Sequence, residues 1–136
     1  MTYLLDTNVL WELRKRRPDR RVVEWFDSTS GTELYLSVLV LGEIRQGVER
    51  RRRQEPAAGR ALDEWLTELH RSFADRVIPV TAEIADQWGE LNVPDPLPTV
   101  DGLLAATALV HGLVLVTRNT RDVARSGAVT LNPFEA

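Results

Sequence analysis

Two rhythms of apolar and polar positions run along the chain. Short apolar runs at Tyr3–Leu5, Glu33–Ser37 (apolar Leu34, Tyr35 and Leu36), Val77–Val80, Leu113–Thr117 and Val129–Leu131 read as strands. Between them the apolar spacing is helical. Thr7 or Asn8 would cap a helix over Val9–Arg16, and Pro18 would open a second with Val22, Val23, Trp25 and Phe26 inward, ending near Ser28–Gly31. Ser37 would cap a third, reaching Arg53, with Leu39, Leu41, Ile44 and Val48 on its apolar side. Pro56 and Gly59 mark Gln54–Gly59 as a turn before a helix over Ala61–Phe73, which carries Leu62, Trp65, Leu66 and Leu69. Thr81 begins a helix with Ile84, Ala85, Trp88 and Leu91 inward; Val93–Pro98, with three prolines, is a loop. Thr99 or Asp101 opens a helix of small residues through His111, ended by Gly112, and Asn119–Arg125 forms a short last helix. Asn132–Ala136 reads as a surface tail. Strands alternating with helices in this order predict an α/β fold: a three-layer α/β/α domain over residues 1–136 with a central, mostly parallel sheet.

Composition narrows the chemistry. The chain has 136 residues, 43% of them hydrophobic and 27% charged, in the range of an ordinary globular domain. It has no cysteine, which excludes a disulfide framework, cysteine-ligated zinc and thiol catalysis. No secretory pattern or membrane-length apolar run is visible, so a cytoplasmic protein is expected. Net charge is −3, and basic residues gather at Arg14–Arg17, Arg20–Arg21 and Arg50–Arg53. Lys15 is the only lysine. Arginine forks match phosphate oxygens, although such runs also serve as plain solvated helix faces.

Four acids stand where parallel sheets collect ligands, beyond the carboxyl ends of strands. Asp6 ends the first strand, where a buried acid must find donors or a cation. Glu43 lies about a turn and a half into the helix after the second strand, Asp101 starts the small-residue helix, and Asp122 follows the Leu113–Thr117 strand. Converging carboxylates repel one another, and a divalent cation relieves that repulsion. Oxygen ligands without histidine or cysteine suit Mg2+ or Mn2+, and one or two such ions can activate water against a phosphodiester. His70 and His111 fall outside this set and read as structural.

Motifs around these acids resemble a known family. Leu4-Leu5-Asp6-Thr7-Asn8-Val9-Leu10, Ser37-Val38 through Leu41-Gly42-Glu43-Ile44-Arg45-Gln46-Gly47, Asp101-Gly102-Leu103-Leu104-Ala105-Ala106-Thr107-Ala108 and Leu115-Val116-Thr117-Arg118-Asn119-Thr120-Arg121-Asp122-Val123 are similar to the four motifs of PIN-domain ribonucleases, in order and spacing. Leu131-Asn132-Pro133-Phe134 also resembles the end of VapC/FitB-like toxins. Val123 departs from the family's frequent phenylalanine. The resemblance implies a Mg2+- or Mn2+-dependent endoribonuclease, the toxin of a toxin–antitoxin pair. Asp6, Glu43, Asp101 and Asp122 would be its metal-binding acids, Asp122 less consistently a direct ligand. Thr117 and Asn119 would orient acids or water, and Asn8 would hold the loop around Asp6. Because an acidic pocket repels a polyanion, at least one of the groups containing Arg14, Arg118 and Arg121 is expected to contact RNA phosphates. Implied partners are RNA, a small VapB-like antitoxin lying across the amino-terminal helices, and a second copy of the chain. Val9, Leu10 and Trp11 would either line the antitoxin's groove or belong to the core. The alternative is a catalytically weak PIN-fold module acting within an antitoxin–DNA complex. A receiver-like domain would need a better-placed lysine than Lys15, and a haloacid-dehalogenase-like phosphatase a second aspartate where Asn8 stands.

Overall fold

A computed structural model describes residues 1–135. Five strands, β1 (Tyr3–Leu5), β2 (Leu34–Ser37), β3 (Val77–Ile78), β4 (Val114–Val116) and β5 (Thr130–Leu131), form one sheet in the order β3-β2-β1-β4-β5. Every pairing is parallel; Leu4 stands opposite Tyr35 on one side and Leu115 on the other. Leu4, Leu5, Leu36, Leu115 and Val116 are essentially inaccessible, as expected of a parallel sheet covered by helices on both faces. The expected α/β/α architecture is the observed one.

The covering helices are α1 (Thr7–Arg14), α2 (Arg20–Asp27), α3 (Val38–Gln54), α4 (Pro56–Ser72), α5 (Ala82–Leu91), α6 (Thr99–His111) and the short α7 (Thr120–Val123). Their ends follow local chemistry. Ser37 caps α3 by accepting the Leu39 N–H at 3.1 Å, and Gly112 ends α6 in the left-handed conformation, at φ 66°. Asp6 itself caps α1, accepting the Thr7 N–H at 2.7 Å, so that helix starts two residues earlier than expected and stops at Arg14. Asp19 caps α2, displacing its start from Pro18 to Arg20.

Three expectations are corrected. Gln54–Gly59 is not a turn: Glu55 alone joins α3 to α4, and Pro56 takes the first position of α4. Gly59 lies inside α4, where a Cβ would stand 2.6 Å from the Arg52 Cα, so it permits close approach of the two helices. Ala85 is exposed, because α5 turns Ile84 and Trp88 toward α6 instead. The segment after β5 is not a surface tail: Pro133–Glu135 form a 3-10 turn packed on α2, with Phe134 only 4% exposed. Ala136 lies outside the described residues. No helix among them is long and apolar enough to cross a membrane.

Candidate active site

The strand order reverses direction at β1. The chain first builds outward through β2 and β3, then returns to place β4 and β5 on the other side. The resulting crevice, beyond the carboxyl ends of β1 and β4, is where such sheets hold ligands. Asp6 leaves β1 there with its N–H donated to the Val116 carbonyl at 2.9 Å. Thr117 leaves β4 beside it and donates its hydroxyl to Asp6 Oδ2 at 2.7 Å. Asn8 Nδ2 donates to the same oxygen at 3.1 Å, and Asn8 Oδ1 accepts the Arg118 N–H at 3.3 Å. Asp6 is 5% exposed. Burial pushes its carboxyl above the ordinary range, outweighing the hydrogen bonds from Thr117, Thr7 and Asn8 that lower it.

Glu43 projects from α3 on the β2 side. Its Oε1 accepts the Thr7 hydroxyl at 2.5 Å, while its neighbours Leu41 and Ile44 point into the core. Asp101 sits in the first turn of α6, half-buried, and its carboxyl is pushed up to about 6. Burial is the first cause; the charges of Asp6, Asp122 and Glu43 follow. Asp122 is exposed on α7. The fold therefore brings all four sequence-derived acids, spread over 6–122, within electrostatic reach of one another.

Among the described residues, no three acidic, histidine or cysteine side chains are already drawn into a cage around one point. What the acids form is a shared negative field. Its donors are oxygens alone; burial raises both the Asp6 and the Asp101 carboxyls, and at Asp101 the charges of Asp6, Asp122 and Glu43 add to it. A hard divalent ion suits that donor set.

The supporting residues fall out unevenly. Thr117 uses its hydroxyl on Asp6, whereas Asn119 contributes its backbone N–H, donated to Thr117 Oγ1 at 2.9 Å. Thr7, which sequence marks only as a possible helix cap between Asp6 and Asn8, ties α1 to Glu43. Arg121 is exposed next to Asp122, with no ion pair among the described residues. Arg118 instead lays its guanidinium over Phe134, 4.0 Å from the ring centre, and Arg14 lies 5.9 Å from the centre of a Trp65 ring. Val9 is core at 0% exposure, while Leu10 borders a cleft of about 360 Å3 with Leu13, Arg14, Phe26, Trp65 and Leu69. Trp11 lines a neighbouring depression with Arg51 and Leu62. His70 and His111 are exposed on α4 and α6.

Comparison with known proteins meets the same pattern. The chain is 33% identical over 140 residues to the VapC ribonuclease Y4jK of Sinorhizobium fredii, covering 97% of each. The crystal structure of FitAcB from Neisseria gonorrhoeae superposes with a TM-score of 0.93 at 30% identity, covering 99% of this chain and all of that one. A toxin–antitoxin complex from Klebsiella pneumoniae contains a chain with a TM-score of 0.70 at 27% identity, covering 99% of this chain and 100% of its own. The family model described as PIN domain matches residues 3–127, a span that contains every acid of the crevice, and the chain belongs to that family.

Proposed function

We propose that this protein is an endoribonuclease that hydrolyses RNA phosphodiester bonds with one or two Mg2+ or Mn2+ ions, and that it is the toxin of a toxin–antitoxin pair. The observation that carries the reading is the convergence of Asp6, Glu43, Asp101 and Asp122 at the crevice beyond β1 and β4, where burial and then the charges of the other three raise the Asp101 carboxyl. Such mutual repulsion costs folding free energy unless a cation uses it. The ribonuclease name of the Sinorhizobium relative and the toxin–antitoxin complex containing the Klebsiella chain support the same reading.

Asp6, Glu43 and Asp101 would hold the ion, with Asp122 at the rim. When bound, the ion supplies an activated water and neutralises charge on the leaving oxygen. The chain's own residues prepare that chemistry. Thr117, Asn8 and the Thr7 N–H fix the orientation of Asp6, and the Thr7 hydroxyl fixes Glu43. An acidic crevice repels a polyanion, so flanking cations must capture it. Arg121 and Arg14 would contact RNA phosphates; Arg118 is exposed as well, but its guanidinium lies over Phe134. No side-chain nucleophile is required.

The cleft lined by Leu10, Leu13, Phe26, Trp65 and Leu69 would take the apolar side of a small VapB-like antitoxin segment. A homodimer acting in the cytoplasm completes the proposal. Antitoxin-free protein incubated with total RNA should cleave in Mg2+ and not in EDTA, and Asp6→Asn should fold but not cleave. Cleavage by Asp6→Asn at the wild-type rate removes the assignment.

A further inference from the structure

Arg118 follows Thr117 directly, in the loop leaving β4 beside the acids, where a cation would ordinarily be read as a phosphate contact. Its side chain is engaged elsewhere. The guanidinium stacks on Phe134, which the last 3-10 turn buries against α2. The Asn132 side-chain oxygen accepts the Phe134 N–H at 2.9 Å and fixes that turn. Glu12, 6% exposed, and Asp19 lie within reach of the Arg118 charge. Hydrogen bonds from Lys15 to Glu12 and from Arg21 to Asp19 hold both carboxylates below their ordinary range, and the charge of Arg118 adds to each. Meanwhile the Arg118 backbone N–H is donated to Asn8, whose amide holds Asp6 Oδ2.

We propose that Arg118 and Phe134 are positioning residues: the stack clamps the loop after β4, and through Asn8 and Thr117 the clamp sets the orientation of the Asp6 carboxylate. This rests on the nuclease reading of the crevice. The chain of contacts runs Phe134 ring, Arg118 guanidinium, Arg118 N–H, Asn8 amide, Asp6 carboxylate. A planar cation on an aromatic face holds its geometry in a way an ammonium does not. Outer groups that orient a ligating side chain are worth about 10–100-fold in activity or metal affinity, and a residue one contact further out belongs at the low end.

The test separates positioning from substrate binding. Arg118→Gln and Arg118→Lys alter an exposed side chain and leave the core intact. Both should lower kcat for a short RNA about tenfold, leave KM and its salt dependence unchanged, and require several-fold more Mg2+ to reach the full Mg2+-induced rise in Tm. Phe134→Leu, which changes no charge, should reproduce this, and Phe134→Tyr should restore wild-type behaviour. A raised KM with a flattened salt dependence in Arg118→Gln, rescued by Arg118→Lys, would make Arg118 a phosphate contact and overturn the proposal. Unchanged kcat and Mg2+ response in Arg118→Gln would overturn it equally. If the wild-type protein neither cleaves RNA nor is stabilised by Mg2+, the nuclease reading itself fails, and that result is visible before any variant is made.

Discussion

Asp101→Asn should make the protein more stable while destroying its activity. In the folded chain the Asp101 carboxyl holds its proton up to about 6, against an ordinary value of 3.8. Between those two values the folded state binds more protons than the unfolded state, so stability falls as pH rises from about 4 to about 6 and stays at the lower level above that. At about 1.4 kcal/mol per tenfold shift in proton affinity, the unscreened ceiling is about 3 kcal/mol. The group is partly open to water, and the dipole of α6 favours its negative charge by about 0.3–1 kcal/mol. About 1 kcal/mol of penalty survives both corrections. With an unfolding entropy of about 2.1 cal/mol/K per residue over 136 residues, that corresponds to roughly 3 °C. Scanning calorimetry in EDTA should therefore show Asp101→Asn melting about 3 °C above the wild type at pH 8, with the gap all but closed at pH 4. Added Mg2+ should raise the wild-type Tm and reverse the order. A variant that melts at or below the wild type at pH 8, or a gap that persists unchanged at pH 4, would refute the argument that burial and neighbouring charge penalise the Asp101 carboxylate.

Two further substitutions probe the structure elsewhere. Thr7→Val deletes the hydroxyl that Glu43 accepts while preserving shape; cleavage should fall about 10–100-fold with an unchanged circular dichroism spectrum, and wild-type rates would show that Glu43 needs no such tether. Gly59→Ala puts a methyl 2.6 Å from the Arg52 Cα; forcing α3 and α4 apart should cost about 1–3 kcal/mol in urea unfolding, and a neutral result would mean that Glu55 lets the helices separate freely.

The sheet and the acids were readable for a physical reason. A buried strand that ends in an acid, as β1 does at Asp6, is costly enough to announce a purpose, and the alternation of short apolar runs with helical stripes allows few topologies. What escaped were features that depend on direction or on distant contacts. Thr7 looked like any hydroxyl at a helix start until Glu43 was seen across from it. Gly59, three residues after Pro56, reads as turn chemistry, and only the neighbouring helix reveals that it makes room. Arg118 is a positive charge in sequence, but sequence does not say that it leans on Phe134 instead of facing the crevice. Phe134 itself lies in a segment too short to show periodicity, so its burial had no local signal.

Because β1 lies between β2 and β4, the first acid of the crevice meets its hydroxyl partner only when a segment 111 positions later has been laid beside it. A chain interrupted anywhere before β4 lacks Thr117 and Asp122 and leaves one side of β1 bare. On the proposed reading, stalled ribosomes and truncated messages would therefore yield fragments without a complete crevice. The cell that makes this protein would then meet the proposed chemistry only after nearly all of the chain has been translated and assembled.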